Sequence, residues 1–173
     1  EKFRRDIVKR DYPNDDAVDK IKIIEKLGLT FSVNNIIGFP DETRELAFDT
    51  IELNRRFNSD NTSCSILVPF HGTELHAYAV EKGYLDPNVI CAISNSGESL
   101  LNMPQWDKKD MTRLRDVFAM YIKFPKDRWP EIKRAETDDK LRYELREEFV
   151  KTYWSDSTAK IEDDIAEAAK GLF

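Results

Sequence analysis

The stretch NNIIGFPDET, residues 34–43, joins a predicted strand to a predicted helix. It ends the segment TFSVNNIIGF, residues 30–39, whose β-branched and aromatic residues are typical of a strand. The acidic residues after Pro40 lie at the positive end of a helix predicted over about residues 43–57. A strand that passes through a short turn directly into a helix indicates a parallel βα unit.

The same pattern recurs on both sides of this stretch. The first predicted helix begins at a cap, Asn14 or Asp15, and ends at Gly28. This helix covers residues 14–27. After the helix over about residues 43–57, the sequence predicts a strand over 61–70, a helix over 73–82 and an irregular loop over 84–105. Helices that alternate with strands across short connections predict an α/β fold with parallel strands.

The chain after Trp106 is predicted to be all-helical. Its predicted helices cover residues 107–124, the segment after Pro125 and Pro130, about 137–154, and 158–170. The apolar stripes that would pack inward comprise Leu114, Val117, Phe118 and Tyr121 on one helix and Leu141, Leu145 and Phe149 on another. We therefore divide the chain into βα units over residues 1–105 and a helical carboxyl-terminal extension over residues 106–173.

Composition excludes several classes of function. The net charge is −6 and no block of Lys and Arg occurs, which argues against a nucleic-acid-binding surface. No apolar run reaches the length of about 18 residues that a membrane span needs, and the charged amino terminus is unlike a signal peptide. We expect a cytoplasmic protein. Because Glu1 opens a helix-like segment without methionine, we also expect the chain to be a fragment.

The metal-ligating residue types show no motif. Cys64 and Cys91 lack a CxxC or paired Cys/His spacing, so we expect two reduced thiols and no metal site. His71 is interpreted as a loop histidine, because a single histidine without a partner makes neither a metal site nor a proton relay.

Alternation along the strands separates an apolar face from a polar one. Successive side chains point to opposite faces of a strand. The face predicted to pack on helices holds Phe31, Val33, Asn35 and Ile37 of the first strand and Cys64, Ile66 and Val68 of the second. The other face holds Ser32, Asn34, Ile36 and Gly38, with Ser63, Ser65 and Leu67. Ligands of βα proteins bind at the carboxyl ends of strands, so this polar face predicts a ligand cavity there. Gly38 and Pro40 could equally do no more than turn the chain.

Four segments together resemble radical S-adenosylmethionine enzymes. NNIIGFPDET is similar to the fifth-strand segment of that superfamily, and PFHGTEL (residues 69–75) followed by EKGYL (residues 81–85) resembles its sixth-strand segment. Arg5 and Lys9-Arg10 suit its upstream linker. LNMPQWDKKDMTRLRDVFAMYIKFP, residues 101–125, resembles the tail of the branch that often carries a cobalamin-binding domain. The resemblance covers about residues 1–130.

The resemblance implies a fold, cofactors and a site. The fold would be the carboxyl-terminal part of a partial (β/α) TIM barrel. The cofactors would be S-adenosylmethionine and a 4Fe–4S cluster, with cobalamin as a further cofactor of the intact protein. The intact enzyme would cleave S-adenosylmethionine reductively and methylate or functionalise a C–H bond of its substrate. The residues implied in cofactor binding are Asn34, Ile36, Gly38, Leu67, Val68, Arg5 and Arg10. The two arginines could equally be solvated helix residues.

The chain departs from the pattern of this superfamily. Asn34 replaces a glycine, and Asp41 occupies the acidic position with Glu42 one step later. We assign Glu42 no catalytic role, since capping of the following helix would equally explain it. The cluster-binding CxxxCxxC is absent from these 173 residues, so the missing amino-terminal half of the same protein is the expected partner. One alternative is a non-catalytic half-barrel with a partner-docking helical tail. A phosphate-binding βα enzyme is weaker, because neither glycine loop has a P-loop lysine.

Overall fold

The computed structural model describes residues 1–92 and 97–154. Two parallel strands pair in a register that runs from Ser32 with Asn61 to Ile37 with Ile66. In chain order the elements are α1 (Lys2–Asp6), α2 (Asn14–Lys26), β1 (Ser32–Ile37), α3 (Arg44–Asn54), β2 (Asn61–Ile66), α4 (Glu74–Glu81), α5 (Lys108–Lys123), a 3₁₀ turn (Lys126–Arg128), α6 (Trp129–Ala135), α7 (Asp139–Phe149) and a π-helical turn (Val150–Trp154). The mixed α/β class and the parallel pairing are confirmed.

The crossover between the strands is α3, which begins where the sequence predicted. Thr43 is its cap and accepts a hydrogen bond from the backbone N–H of Leu46 at 3.4 Å. Ala47, Ile51 and Asn54 are buried on the side that covers the sheet. The helix ends at Asn54, three residues before the predicted end at Phe57.

Asn35, a polar residue on the packed face, belongs to a buried amide pair. Its side-chain oxygen accepts a hydrogen bond of 2.9 Å from the Asn54 amide, and its own amide donates to the Thr62 hydroxyl at 3.2 Å. All three residues are buried, so each needs such a partner. The pair therefore fixes α3 over the middle of both strands.

The core is completed by α5, an amphipathic helix of 16 residues. Its buried residues are Met111, Leu114, Val117, Phe118, Met120, Tyr121 and Ile122. Asp107 caps it by accepting the backbone N–H groups of Lys109 and Asp110. The helix packs against β2 and α3, and its predicted apolar stripe is confirmed. Among the described residues, every helix is too short or too polar to span a lipid bilayer.

An ion-pair cluster joins α3, α5 and α6. The Glu136 carboxylate is buried and accepts Nη2 of Arg44 at 2.6 Å, the hydroxyl of Tyr121 at 2.7 Å and Nζ of Lys133 at 2.8 Å. Arg44 also donates to Asp110 at 2.9 Å. Burial, and next the hydrogen bond to Glu136, raise the pKa of Tyr121, so its hydroxyl stays a donor.

The carboxyl-terminal helices pack on this core as the apolar pattern predicted. In α7, Leu145 is buried, and Leu141 and Phe149 pack against the core cluster. The ring of Phe149 meets that of Phe124 edge to face, with the centroids 6.0 Å apart. The predicted helix over residues 158–170 lies outside the described residues.

The predicted cap of α2 is wrong. Pro13 occupies the cap position and Asn14 is the first helical residue, without a side-chain capping bond. The Asn14 side-chain oxygen instead accepts a hydrogen bond of 2.7 Å from Arg4. Val18 is buried but Leu27 is 68% exposed, so only part of the apolar side of this helix packs in this chain.

Candidate functional site

The face of the sheet opposite the helices is open and mostly polar. Its exposed residues are Ser32, Asn34 and Ile36 on β1 and Asn61, Ser63 and Ser65 on β2. The hydroxyl of Ser63 donates to the Asn34 side-chain oxygen at 2.7 Å, across the strand pair. Ile36 lies opposite Ser65 and is 49% exposed. The predicted division of the strands into two faces is therefore confirmed up to residue 37, and we call these six residues the open face.

Gly38 does not continue the open face. It is buried, and its φ of +83° turns it away from the strand alternation. A Cβ at this position would lie 3.3 Å from Sδ of Met111 and 3.4 Å from Cγ2 of Ile66. The space beside Gly38 thus belongs to the core on the α5 side. Its backbone N–H is also taken, because it donates to the Glu42 carboxylate at 2.6 Å.

Leu67 and Val68 also lie with the core rather than on the open face. The backbone N–H of Leu67 donates to the Ile37 carbonyl at 2.8 Å and extends the pairing one step beyond β2. Leu67 is buried, and Val68 is half-buried against the core cluster. The structure therefore places Asn34 and Ile36 on the open face, whereas Leu67 and Val68 pack with the core.

The two predicted arginines are exposed. Arg5 pairs with Asp6 at 3.2 Å, and Arg10 lies beyond α1. A third arginine of this segment, Arg4, stacks its guanidinium on the Tyr12 ring, with the central carbon 4.1 Å from the ring centroid. These positions favour the interpretation of Arg5 and Arg10 as solvated residues.

The turn after β1 is closed by Glu42. Its Oε2 accepts the backbone N–H groups of Gly38 at 2.6 Å and Phe39 at 3.0 Å. Glu42 is buried, and it does not cap α3, because Thr43 does. The capping role expected for Glu42 is therefore wrong. Burial raises its pKa to about 7 although the two backbone hydrogen bonds oppose the shift.

We expect the raised pKa of Glu42 to appear as a pH dependence of stability. The folded chain holds the proton more tightly than the unfolded chain, so this stabilisation is full below pH 4.5 and is lost as the pH rises through about 7. Glu42→Gln keeps an acceptor oxygen but cannot titrate. From pH 4 to pH 8, the free energy of unfolding of the wild type should fall relative to Glu42→Gln by about 3 kcal/mol. Urea unfolding across this range measures the difference, and parallel curves would contradict the prediction.

Asp41 ties the turn after β1 to the α4 region. It has a positive φ of 65°, and its carboxylate accepts the hydroxyls of Tyr78, on α4, and of Tyr84, the latter at 2.7 Å. Burial raises the pKa of Asp41, but these hydrogen bonds and the charge of Lys82 outweigh it, so the pKa lies below its ordinary value. The turn after β1 is thus fixed to α4 and to the segment that directly follows α4. No sequence signal pointed to the two tyrosines.

His71 has neighbours that the sequence did not reveal. Its ring centroid is 4.3 Å from that of His76, and both residues offer a ligand atom close to Sγ of Cys91. The interpretation of His71 as a histidine without a partner is therefore wrong. The spacing of the three residues along the chain matches no metal motif, so the signal exists only in three dimensions.

Comparison with known proteins gives one partial match. Over 69 residues, 40% of this chain, the sequence is 38% identical to an uncharacterized methyltransferase of Pyrococcus horikoshii. The matched stretch is 15% of the length of that relative, so the chain corresponds to a small part of it. No family model and no solved structure matches the chain. The chain is similar, over less than half its length, to a protein named as a methyltransferase.

Proposed function

We propose that this chain is the carboxyl-terminal part of a radical S-adenosylmethionine enzyme that methylates or functionalises a C–H bond of its substrate. The observation that carries the proposal is the open face, formed by the two parallel strands and followed by a turn that Asp41 fixes to α4. Such a face would line the interior of a partial barrel once further strands pair with it. The partial identity with a methyltransferase-named protein supports a methyl-transfer function.

The open face has the chemistry that S-adenosylmethionine needs. Adenine requires an apolar surface bordered by hydrogen-bonding groups. Ile36 offers that surface, and Asn34, Ser63 and Ser65 border it with an amide and two hydroxyls. Gly38, Leu67 and Val68 would support the floor of this site from the core side. The bound cofactor would supply the methyl or adenosyl group, and this chain would supply part of the surface that binds it.

A 4Fe–4S cluster does not fit the residues of this chain. Such clusters are held by cysteine thiolates, and the sequence contains only Cys64 and Cys91. Burial, and next the charge of Glu42, raise the pKa of the Cys64 thiol, so it is held as a neutral thiol. We therefore place the cluster ligands, and any cobalamin site, in a preceding part of the protein. The sequence encoded upstream of Glu1 should contain CxxxCxxC.

The test is to produce the intact parent protein without oxygen, reconstitute it with iron and sulfide, and assay S-adenosylmethionine. We expect cluster absorbance and reductive cleavage of S-adenosylmethionine. A cluster-loaded protein that cleaves no S-adenosylmethionine would contradict the proposal. An upstream sequence without the three cysteines would contradict it as well. A partner protein captured without any cofactor would favour the non-catalytic half-barrel instead.

Within the parent protein, Ile36→Arg should weaken S-adenosylmethionine binding at least tenfold. A charged, flexible side chain would replace the apolar surface on which adenine rests, and tenfold corresponds to about 1.4 kcal/mol. Equilibrium dialysis with labelled cofactor measures the change. Ile23→Arg is the matched control, because Ile23 is an isoleucine of α2 that is 57% exposed. Equal affinities of the two variants would remove Ile36 from the site.

A further inference from the structure

Two histidines and a cysteine converge beside the loop that follows β2. One ring nitrogen of His71, one of His76 and Sγ of Cys91 all lie within 4.8 Å of one another. His71 is exposed, His76 is half-buried and Cys91 is buried. The three ligand atoms therefore lie between the core and the surface, where an ion can reach them from solvent.

One hydrogen bond sets the tautomer of the neutral His71 ring. Its Nε2 lies 3.0 Å from the carbonyl oxygen of Val89. Because a carbonyl only accepts hydrogen bonds, Nε2 carries the proton and Nδ1 keeps a free lone pair. Metal-binding histidines commonly donate their other ring N–H to a carbonyl in this way, which fixes the ring orientation.

His76 supplies a second, independent observation. Its Nε2 is buried and makes no hydrogen bond to any described residue. Its backbone is fixed, because its N–H donates to the capping hydroxyl of Thr73 at 3.2 Å. A buried, unpaired polar atom costs free energy and calls for a partner. A cation between the histidines and Cys91 is such a partner.

Cys91 completes the donor set. Its Sγ makes a weak contact of 3.9 Å with the carbonyl of Val89, the same carbonyl that orients His71. On binding a divalent ion the thiol would lose its proton to solvent and bind as the thiolate. The three side chains then carry one negative charge in total, opposite a doubly positive ion.

We propose that His71, His76 and Cys91 bind one Zn²⁺ ion and leave its fourth position to water or an external ligand. Two imidazoles and a thiolate are donors that zinc accepts in tetrahedral sites. Zinc bond lengths of about 2.0–2.3 Å put tetrahedral donor atoms about 3.3–3.8 Å apart. The cluster would therefore close by about 1 Å around the ion. The ion would join the loop after β2 to the segment around Cys91.

The test uses the full chain, stripped with a chelator and titrated with Zn²⁺ in competition with a chromophoric chelator. We expect one equivalent to bind, and Cys91→Ser and His76→Ala each to weaken binding at least tenfold. Cys64→Ser is the matched control and should bind as the wild type does. With Co²⁺ in place of Zn²⁺, the thiolate-to-cobalt absorption should appear in the wild type and in Cys64→Ser but not in Cys91→Ser.

His71→Ala, at an exposed position, keeps the test valid if the other substitutions disturb folding, which circular dichroism reports. This variant should also bind at least tenfold more weakly. Failure of the wild type to bind one equivalent, or binding that none of the three substitutions weakens, would overturn the proposal. Because the assay contains no S-adenosylmethionine or cluster, its outcome is independent of the enzymatic proposal.

Discussion

Gly38→Ala should lower the free energy of unfolding of the chain by about 3 kcal/mol. The residue has a φ of +83°, where a non-glycine residue is strained by about 1–2 kcal/mol. The added Cβ would also lie 3.3 Å from Sδ of Met111, closer than an ordinary contact, and 3.4 Å from Cγ2 of Ile66, at the lower limit of one. Urea unfolding followed by circular dichroism measures the loss.

Gly28→Ala is the matched control for this substitution. Gly28 also has a positive φ, +66°, but a Cβ there would meet nothing within 4 Å. This variant should lose only the backbone part, about 1 kcal/mol. The difference between the losses of free energy of unfolding of the two variants then measures how tightly the turn after β1 packs against α5. Equal losses would mean that Met111 and Ile66 yield freely, and would contradict the packing argument.

Glu136→Ala should lower the free energy of unfolding by about 3–5 kcal/mol. The substitution removes the carboxylate from between Arg44, Tyr121 and Lys133, and leaves a buried hydroxyl and a largely buried guanidinium short of a partner. The cluster joins α3 to α5 and α6, so the loss should appear as a lower urea midpoint with an unchanged slope.

Two variants separate the charge of Glu136 from its position. Glu136→Gln keeps an acceptor for Tyr121 but not the charge opposite Arg44. Its free energy of unfolding should therefore lie between that of the wild type and that of Glu136→Ala. Glu131→Ala removes a carboxylate from a partly exposed pair with Arg128, where about 1 kcal/mol or less is expected. If Glu131→Ala lowered the free energy of unfolding as much as Glu136→Ala does, the burial of Glu136 would not be the cause of the large effect expected there.

The parts of the fold that rest on periodicity were predictable. Val33, Asn35 and Ile37 face the helices and Ser32, Asn34 and Ile36 do not, because alternation along a strand is fixed by backbone geometry. The stripe of α5 followed from helical spacing in the same way. Asn35 could not be explained from the sequence, because its partner Asn54 lies 19 positions away.

The candidate site was predictable only in its strand residues. Asn34 and Ile36 were placed on one open face by alternation, but Gly38 left that face because its positive φ ends the strand geometry. The hydrogen bonds of Asp41 to the two tyrosines depend on a positive φ at a non-glycine residue, which no local pattern indicates. His76 and Cys91 come together only through the loop that follows α4.

The parallel pairing of β1 with β2 has a consequence for how the chain folds. Thr62 and the Val33 carbonyl that accepts its hydroxyl are 29 positions apart in the chain, so no tight hairpin can nucleate this sheet. The intervening loop must close first, at an entropic cost that local helix formation does not carry. We expect α3 and α5 to become ordered early and the ladder between the strands to form late. During synthesis, the backbone edges of β1 and β2 would therefore be the last parts of this region to form their hydrogen bonds.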